Sequence, residues 1–290
     1  MKVAAPCKTN LFLEVLERRP DGFHELDTVF TTLALADALE LELLLDGRLE
    51  LVVEGDPTVP ADATNLVWRA ADALRVAAGR PDLGARLLVL KRVPAGGGLG
   101  GGSSDAAAAL VALDALWRTA LGEARLLELA AGLGSDVPFF LRGGLQRGQG
   151  RGERLAPLTP PARPLDLVLV LPGFACPTGQ VYGALGPFLP GQGGPPARDA
   201  TPLCEALTRG DASGVAAHAW NRLELPAEAC FPRLRELREE LAALPGVLTA
   251  RLSGSGSTLW ALAGSPDDAA RAARDLQARG LRAAVTRTGA

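Results

Sequence analysis

Apolar and polar residues alternate along much of the first ninety positions, a period of two that predicts β-strands. The first such stretch is Asn10 to Glu17, and the pattern returns over Leu26 to Leu35. Two further stretches, Leu39 to Leu45 and Leu49 to Glu54, flank Asp46-Gly47, a dipeptide that favours a tight hairpin turn. The N-terminal part of the chain is therefore expected to be built on a sheet.

From about Asn65 onward, stretches in which apolar residues recur with the period of a helix alternate with a strand and a hairpin. We expect Ser103 or Ser104 to cap the second predicted helix, with Asp105 in its first turn. In chain order the pattern predicts a helix over Asn65–Ala78, a strand over Ala85–Val93, a helix from Ser103 or Ser104 to Trp117, a helix over Glu123–Ala131 and a hairpin over Gly143–Leu158.

A proline-rich segment, Pro160 to Pro164, predicts a domain boundary, with one domain over residues 1–160 and another over residues 161–290. The pattern of the second half predicts a strand, several helices, two strands, a helix and a final strand. This is the βαββαβ order of a ferredoxin-like domain. These elements are predicted at Leu165–Leu171, within Thr201–Leu244, and at Val247–Leu252, Thr258–Leu262, Pro266–Arg279 and Leu281–Val285. The insert Pro190 to Pro196 is expected to be a flexible surface loop.

The amino-acid composition excludes several functional classes for this protein. A 48% hydrophobic content supports a large core, and a net charge of −3 gives no basic field for binding nucleic acid. No apolar run reaches the roughly 18 residues that a membrane helix needs, and the N-terminus lacks the pattern of a secretory signal, so we expect a cytoplasmic protein. The four cysteines form no CxxC pair and are interpreted as reduced thiols, and two histidines exclude a His-rich metal centre.

The segment Pro94 to Asp105 carries the strongest chemical signal, because six of the seven residues from Gly96 to Gly102 are glycine. Glycines let a backbone approach a ligand closely, and the N-terminus of the following helix adds N–H donors that suit phosphate oxygens. A Walker A loop would need a lysine where Ser103 stands, and a Rossmann unit would continue into a strand rather than a second helix. The HRD and DFG tripeptides of protein kinases do not occur. We therefore predict a phosphate-binding loop of another kind rather than a linker.

Three other motifs have ordinary explanations when each is taken alone. Lys8, in Pro6-Cys7-Lys8-Thr9-Asn10, could be a surface lysine whose stem covers apolar residues. Asp136, in Gly134-Ser135-Asp136-Val137-Pro138, could be a turn or N-cap residue. The turn Ser253-Gly254-Ser255-Gly256 could belong to a plain hairpin.

Taken together and in this order, the four motifs resemble those of the GHMP kinases, the superfamily of galactokinase, homoserine kinase and mevalonate kinase. The segment Arg18 to Leu26 and the doubled-glycine loop resemble the members that phosphorylate the 2-hydroxyl of 4-diphosphocytidyl-2-C-methyl-D-erythritol, in the non-mevalonate route to isoprenoid precursors. The resemblance implies an α+β, two-domain GHMP kinase fold. Its N-terminal nucleotide-binding domain would resemble one in a ribosomal protein, and its C-terminal domain would be ferredoxin-like and bind the substrate.

The resemblance also implies roles for individual residues, with ATP as co-substrate and Mg²⁺ bridging its phosphates. Asp136 would be the general base and Lys8 its partner at the acceptor hydroxyl. The ATP site would comprise Asn65, Pro94, Ala95, Gly96, Gly97, Gly98, Leu99, Gly100, Gly101, Gly102, Ser103 and Ser104. The substrate site would comprise Asn10, Phe23, His24, Thr178 and Tyr182, with the two aromatic rings stacking on cytosine. The protein ligands of Mg²⁺ stay unassigned.

Cys7, Thr9 and Phe23 depart from the pattern, which usually has Ala and an aliphatic residue beside the lysine and Tyr at the aromatic position. Two alternatives stay open. One is another GHMP kinase, acting on homoserine or phosphomevalonate, and the other is a non-catalytic nucleotide-binding or RNA-binding module. The expected partners are small molecules, with no nucleic acid and no membrane, and the expected state is a monomer or homodimer.

Overall fold

The structure, a computed structural model, describes residues 1–289, and Ala290 at the end of the predicted second domain lies outside the described residues. Its strands are β1 (Lys2–Arg18), β2 (His24–Leu44), β3 (Leu49–Glu54), β4 (Gly84–Leu90), β5 (Leu145–Gly150), β6 (Arg154–Pro157), β7 (Asp166–Leu171), β8 (Trp220–Asn221), β9 (Val247–Leu252), β10 (Leu259–Ala263) and β11 (Arg282–Arg287). Its α-helices are α1 (Leu66–Ala77), α2 (Gly101–Trp117), α3 (Glu123–Leu133), α4 (Val137–Arg142), α5 (Thr178–Gly183), α6 (Thr201–Arg209), α7 (Ala212–His218), α8 (Glu224–Cys230), α9 (Arg233–Ala242) and α10 (Pro266–Ala278). A short 3₁₀ helix covers Gly186–Phe188.

The proximity of backbone atoms in space divides the chain into two compact units, and each unit is built from several separate segments of the sequence. The first unit comprises Met1–Cys7, Leu35–Ala95 and Gly100–Gly143. The second comprises Lys8–Ala34, Gly96–Leu99 and the chain from Gly144 onward. Strands β1 and β2 therefore contribute residues to both units. The boundary placed after residue 160 from the sequence stays a prediction.

In the first unit the strands lie in the order β3-β4-β2-β1. The hairpin predicted at Asp46-Gly47 is wrong, because β4 lies between the two strands, antiparallel to β2 and parallel to β3. The turn itself forms, since the Asp46 carboxylate accepts a hydrogen bond from the Arg48 N–H. Strand β4 forms backbone hydrogen bonds with both β2 and β3, and its own Leu87 and Val89 are buried. A hairpin of β2 and β3 alone would leave β4 without these partners.

Helix α2 is buried along most of its length, and its alanines, Ala106, Ala107 and Ala109, let α1 and α4 pack closely against it. It begins at Gly101, with Gly100 at the N-cap in the left-handed region, so the expectation that Ser103 or Ser104 caps it is wrong. Glycine reaches that conformation without steric cost, which lets the helix start three to four residues earlier.

In the second unit β1 pairs in parallel with β8, and β2 pairs with β5, which forms the predicted hairpin with β6. A separate four-stranded sheet has the order β11-β7-β10-β9, with every neighbouring pair antiparallel. Together with the helices α5 to α9 after β7 and α10 after β10, this confirms the ferredoxin-like βαββαβ arrangement. Leu237, Leu252 and Leu276 belong to the apolar core that these helices cover.

Candidate active site

The glycine-rich segment begins as a loop, Gly96–Leu99, that the second unit holds by its carbonyl oxygens. The Thr258 N–H donates to Gly97 O at 3.1 Å, the Ser253 hydroxyl to Gly98 O at 3.0 Å and the Lys8 N–H to Leu99 O at 2.9 Å. Within the part of the chain that the structure describes, the N–H groups of these three loop residues donate no backbone hydrogen bond. The loop therefore keeps N–H donors for a ligand, as an anion site requires.

Gly98 is the tightest point of this loop. Its φ is +76°, and a Cβ built there would lie 2.2 Å from the backbone oxygen of Ser253. Only glycine fits such a position. The two sequence motifs, the glycine run and the Ser253–Gly256 turn, are thus in direct contact within one unit.

The segment continues in the first unit as the N-terminus of α2. Pro94 and Ala95 follow the end of β4, and Gly101 to Ser104 form the first turn of the helix. The Ser104 hydroxyl donates to Pro6 O at 2.7 Å instead of capping the helix. A helix of this length presents unpaired N–H groups and the positive end of its dipole at Gly101 and Gly102.

Lys8 and Asn10 lie side by side on β1 in the second unit and are both buried. Lys8 Nζ donates to Asn10 Oδ1 at 2.8 Å, and it lies 5.6 Å from the centre of the Phe30 ring. Asn10 in turn donates to the Thr28 hydroxyl at 2.8 Å. Because Lys8 is only 4% exposed, the alternative that it is a surface lysine is wrong.

Asp136 lies in the first unit at the N-cap position of α4 and is half-buried. Its side chain makes no capping hydrogen bond to that helix. The side chain therefore does not act as an N-cap, but Asp136 does lie in a turn, closed by a hydrogen bond from Val137 N–H to Gly134 O at 3.2 Å, so the ordinary explanation as a turn residue stays open. Its action as a base stays a prediction.

Within the second unit the structure brings His24 and Tyr182 together, with ring centres 4.9 Å apart and planes tilted by 39°. Burial, followed by the charge of Arg18, lowers the pKa of His24 below its usual value near 6.5, so the imidazole is neutral at pH 7. The Phe23 ring is 49% exposed and faces the guanidinium of Arg151 at 4.6 Å.

Two other predicted residues make local contacts. Thr178, at the start of α5, shares a 2.9 Å hydrogen bond with the hydroxyl of Ser255 in the Ser253–Gly256 turn. Asn65 caps α1, since its Oδ1 accepts from Val67 N at 2.9 Å while its amide donates to Pro60 O at 2.7 Å. This capping role explains Asn65 structurally, and a contact with adenine stays a prediction.

Sequence reasoning did not assign a buried charge cluster beside the first turn of α2. Lys91 binds the carboxylates of both Asp37 and Asp105, at 2.7 Å in the case of Asp105, and all three side chains are buried. A Cβ at Gly101 would lie 3.3 Å from Lys91 Nζ. The sequence has three lysines against 27 arginines, and this rarity was a signal for Lys91 but not for its two partners.

Over residues 1–289 no group of three or more His, Cys, Asp or Glu side chains is arranged to hold a metal ion. Across the same residues, no helix combines the length and the apolar character that spanning a bilayer requires.

Comparison with known proteins gives a consistent result over nearly the whole chain. Residues 65–144 match the model of the GHMP kinases N terminal domain, and residues 197–281 match that of the GHMP kinases C terminal domain. A protein of Pelotomaculum thermopropionicum named 4-diphosphocytidyl-2-C-methyl-D-erythritol kinase is 43% identical over 98% of this chain and 96% of its own. A protein of the same name from Thermus thermophilus is 44% identical, over 97% and 94% of the two chains.

Solved structures agree with this. A crystal structure of 4-(cytidine 5'-diphospho)-2C-methyl-D-erythritol kinase matches all of this chain and all of its own with a TM-score of 0.84 and 43% identity. Homoserine kinase from Cytophaga hutchinsonii matches 99% of this chain and 94% of its own with a TM-score of 0.75, and its 19% identity shows a common fold alone. The chain belongs to the GHMP kinases, in the family of 4-diphosphocytidyl-2-C-methyl-D-erythritol kinases.

Proposed function

We propose that this chain transfers the γ-phosphoryl group of ATP to the 2-hydroxyl of 4-diphosphocytidyl-2-C-methyl-D-erythritol, giving the 2-phosphate and ADP. The observation that carries the proposal is 43% identity, over 98% of the chain, to a protein named as the kinase of this substrate. The structure supplies residues whose chemistry suits such a transfer. The reaction belongs to isoprenoid precursor synthesis, and the cytoplasm, where ATP is abundant, is its proposed location.

ATP binding is assigned to the glycine-rich segment. The loop Gly96–Leu99 has its carbonyls engaged by the protein, so its N–H groups are the donors left for phosphate oxygens. The N-terminus of α2, at Gly101 and Gly102, supplies further donors and a favourable dipole. Mg²⁺ would accompany ATP and neutralise charge on its phosphates, since this ion commonly keeps water and substrate phosphates as most of its ligands.

Chemistry at the acceptor is assigned to Asp136 and Lys8. The Asp136 carboxylate would accept the proton of the 2-hydroxyl as its oxygen bonds to the γ-phosphorus and the bond to the β-phosphate breaks. The buried ammonium of Lys8, oriented by Asn10, would stabilise the negative charge that develops. Lysine suits this task because its charge is compact and has three donors.

Recognition of cytosine is assigned to Phe23, His24 and Tyr182. A neutral imidazole carries one donor and one acceptor, which suits the polar edge of the base, and aromatic rings offer stacking faces. The contact between the His24 and Tyr182 rings, with centres 4.9 Å apart, supports assigning both residues to one site. A site for a small alcohol such as homoserine would need neither a stacking face nor a group that binds the edge of a base.

The proposal is tested by measuring ADP release with three acceptors: 4-diphosphocytidyl-2-C-methyl-D-erythritol, homoserine and mevalonate. We expect kcat/KM for the cytidine substrate to exceed the other values by at least about 10³-fold, because a site built to bind polar groups rejects ligands that lack them. Comparable rates with homoserine or mevalonate would favour another GHMP kinase. ATP binding without turnover on any acceptor would favour a non-catalytic module.

An Asp136→Asn variant is the control for a contaminating kinase. It preserves the size of the side chain and removes the base, so kcat should fall by roughly 10²–10⁴-fold while the affinity for ATP stays near that of the native protein. A folded Asp136→Asn protein with native turnover would contradict the assignment of Asp136.

A further inference from the structure

Asn221 is fully buried in the second unit, and the NH₂ group of its side-chain amide binds backbone carbonyls on both sides of Ser253. It lies on β8, opposite Leu13 of β1. Its Nδ2 donates to Leu252 O and to Gly254 O, both at 2.8 Å, and its Oδ1 accepts from the Leu223 N–H at 2.9 Å. The two carbonyls that it binds stand on either side of Ser253.

Ser253 is in turn the residue through which this turn reaches the glycine-rich loop. Its hydroxyl donates to Gly98 O and accepts from the Thr9 hydroxyl, both at 3.0 Å. Its N–H binds Thr258 O at 2.9 Å, and the Thr258 N–H binds Gly97 O. A shift of Ser253 would therefore move two of the three hydrogen bonds that fix the loop Gly96–Leu99.

We infer that Asn221 is a positioning residue for ATP binding: it sets the Ser253–Gly256 turn, and the turn sets the glycine-rich loop. The inference rests on the proposed function of that loop. The Asn221 hydrogen bonds are buried, the one from Ser253 to the loop is partly buried, and a Cβ built at Gly98 would lie 2.2 Å from the backbone oxygen of Ser253, so the turn packs directly against the loop. No other side chain binds Leu252 O or Gly254 O among the described residues.

The test is Asn221→Asp, which keeps the shape and the acceptor for Leu223 N–H but replaces both donors by an oxygen facing two carbonyls. The matched control is Leu276→Ala, which damages the apolar core of the same unit on α10. We expect KM for ATP to rise at least tenfold in Asn221→Asp, with KM for the cytidine substrate within twofold of the native value. Loss of stability alone lowers the amount of active enzyme and leaves KM unchanged, as expected for Leu276→Ala.

Hydrogen exchange measured by mass spectrometry supplies a second readout that needs no activity. A peptide covering residues 253–258, in which the N–H groups of Ser253, Gly256 and Thr258 donate hydrogen bonds, should exchange faster in Asn221→Asp and not in Leu276→Ala. An unchanged KM for ATP together with unchanged exchange would overturn the inference. A native protein that fails to bind ATP would instead overturn the proposed function of the loop.

Asn221→Ala is the second variant, because it removes the donors without adding a charge beside two carbonyls. The same criteria for KM and exchange apply to it. If neither variant folds, the amide of Asn221 serves folding rather than positioning, and the inference is overturned.

Discussion

Gly96 and Gly98 have nearly the same φ angle but different surroundings. Their φ values are +70° and +76°, so a side chain at either position meets the same strain of about 1–2 kcal/mol. A Cβ at Gly96 has no atom within 4 Å, whereas one at Gly98 would overlap Ser253 O. The sequence presents these residues as equivalent members of a glycine run, and the packing makes only one of them indispensable to the turn contact.

A paired substitution measures this difference. Gly98→Ala should lower the free energy of unfolding by about 1–3 kcal/mol more than Gly96→Ala, because overlap with backbone atoms adds to the conformational strain that both share. Urea unfolding of the two variants and the native protein gives the comparison. Equal losses would mean that the turn yields to a methyl group and that the close approach of Ser253 has no energetic consequence.

At the scale of elements, one buried ion pair joins a strand to a long connection. Glu14 of β1 and Arg222 are both fully buried, with Arg222 Nη2 2.8 Å from Glu14 Oε2. Arg222 also donates to Pro195 O at 2.9 Å and to Pro196 O at 3.0 Å, and Glu14 accepts from the Arg198 N–H. The end of the segment Pro190 to Pro196, which was predicted to be a flexible loop, is therefore held by hydrogen bonds from Arg222.

Arg222→Met should lower the free energy of unfolding by about 3–5 kcal/mol, because it leaves the carboxylate of Glu14 buried without its counter-charge. It should also make the segment 188–198 sensitive to limited proteolysis, since Arg222 binds the backbone there.

The control is Arg233→Met, which removes the exposed pairs with Glu236 and Glu240 and should cost no more than about 1 kcal/mol. Similar losses in the two arginine variants, or an unchanged proteolysis pattern in Arg222→Met, would show that the ion pair does not hold this segment.

At the scale of the whole molecule, the buried cluster in the first unit gives stability a defined dependence on pH. Burial raises the pKa of Asp105 to about 7, opposed by the charge of Lys91 and reinforced by that of Asp37. Asp105 Oδ1 has no hydrogen-bond partner among the described residues, which fits a carboxyl that is costly to ionise. A raised pKa in the folded state means stabilisation that is complete below pH 4 and is lost as pH rises towards 7.

Asp105→Asn removes this dependence, because the amide stays neutral. Relative to that variant, the free energy of unfolding of the native protein should fall by on the order of 2 kcal/mol between pH 5 and pH 8. Urea unfolding of both proteins at several pH values makes the measurement. Parallel curves would place the ionisation of Asp105 outside this range.

Much of the fold was predictable because its elements are specified locally. The strand β9 and the helix α10 follow the local pattern of apolar residues, the hairpin of β5 and β6 follows a glycine-rich segment, and α1 begins within one residue of its predicted start. The helix α2 was found but its start was misplaced, since Gly100 provides a conformation that residue-type preferences at N-caps do not capture. The motifs of the site were also local, and their order along the chain carried the family resemblance.

Contacts between distant segments could not be predicted in this way. The insertion of β4 between β2 and β3, the approach of Ser253 to Gly98, and the pairing of Lys91 with Asp37 and Asp105 join residues that are far apart in sequence. A hairpin signal such as Asp46-Gly47 describes a turn, but strand partners are decided by which pairing buries the most apolar surface and satisfies the most backbone groups.

The sequence by itself determined the types of the elements, the βαββαβ order of the second half and the four motifs of a GHMP kinase, because each depends on neighbouring residues. Only the tertiary structure decided which of the polar residues are buried and what they bind. The sequence left open that Lys8 is a surface residue and carried no signal for Asn221 and Arg222, and all three are buried and hydrogen-bonded in the fold. A buried polar group is stable only with its partners in place, and those partners come from other parts of the chain.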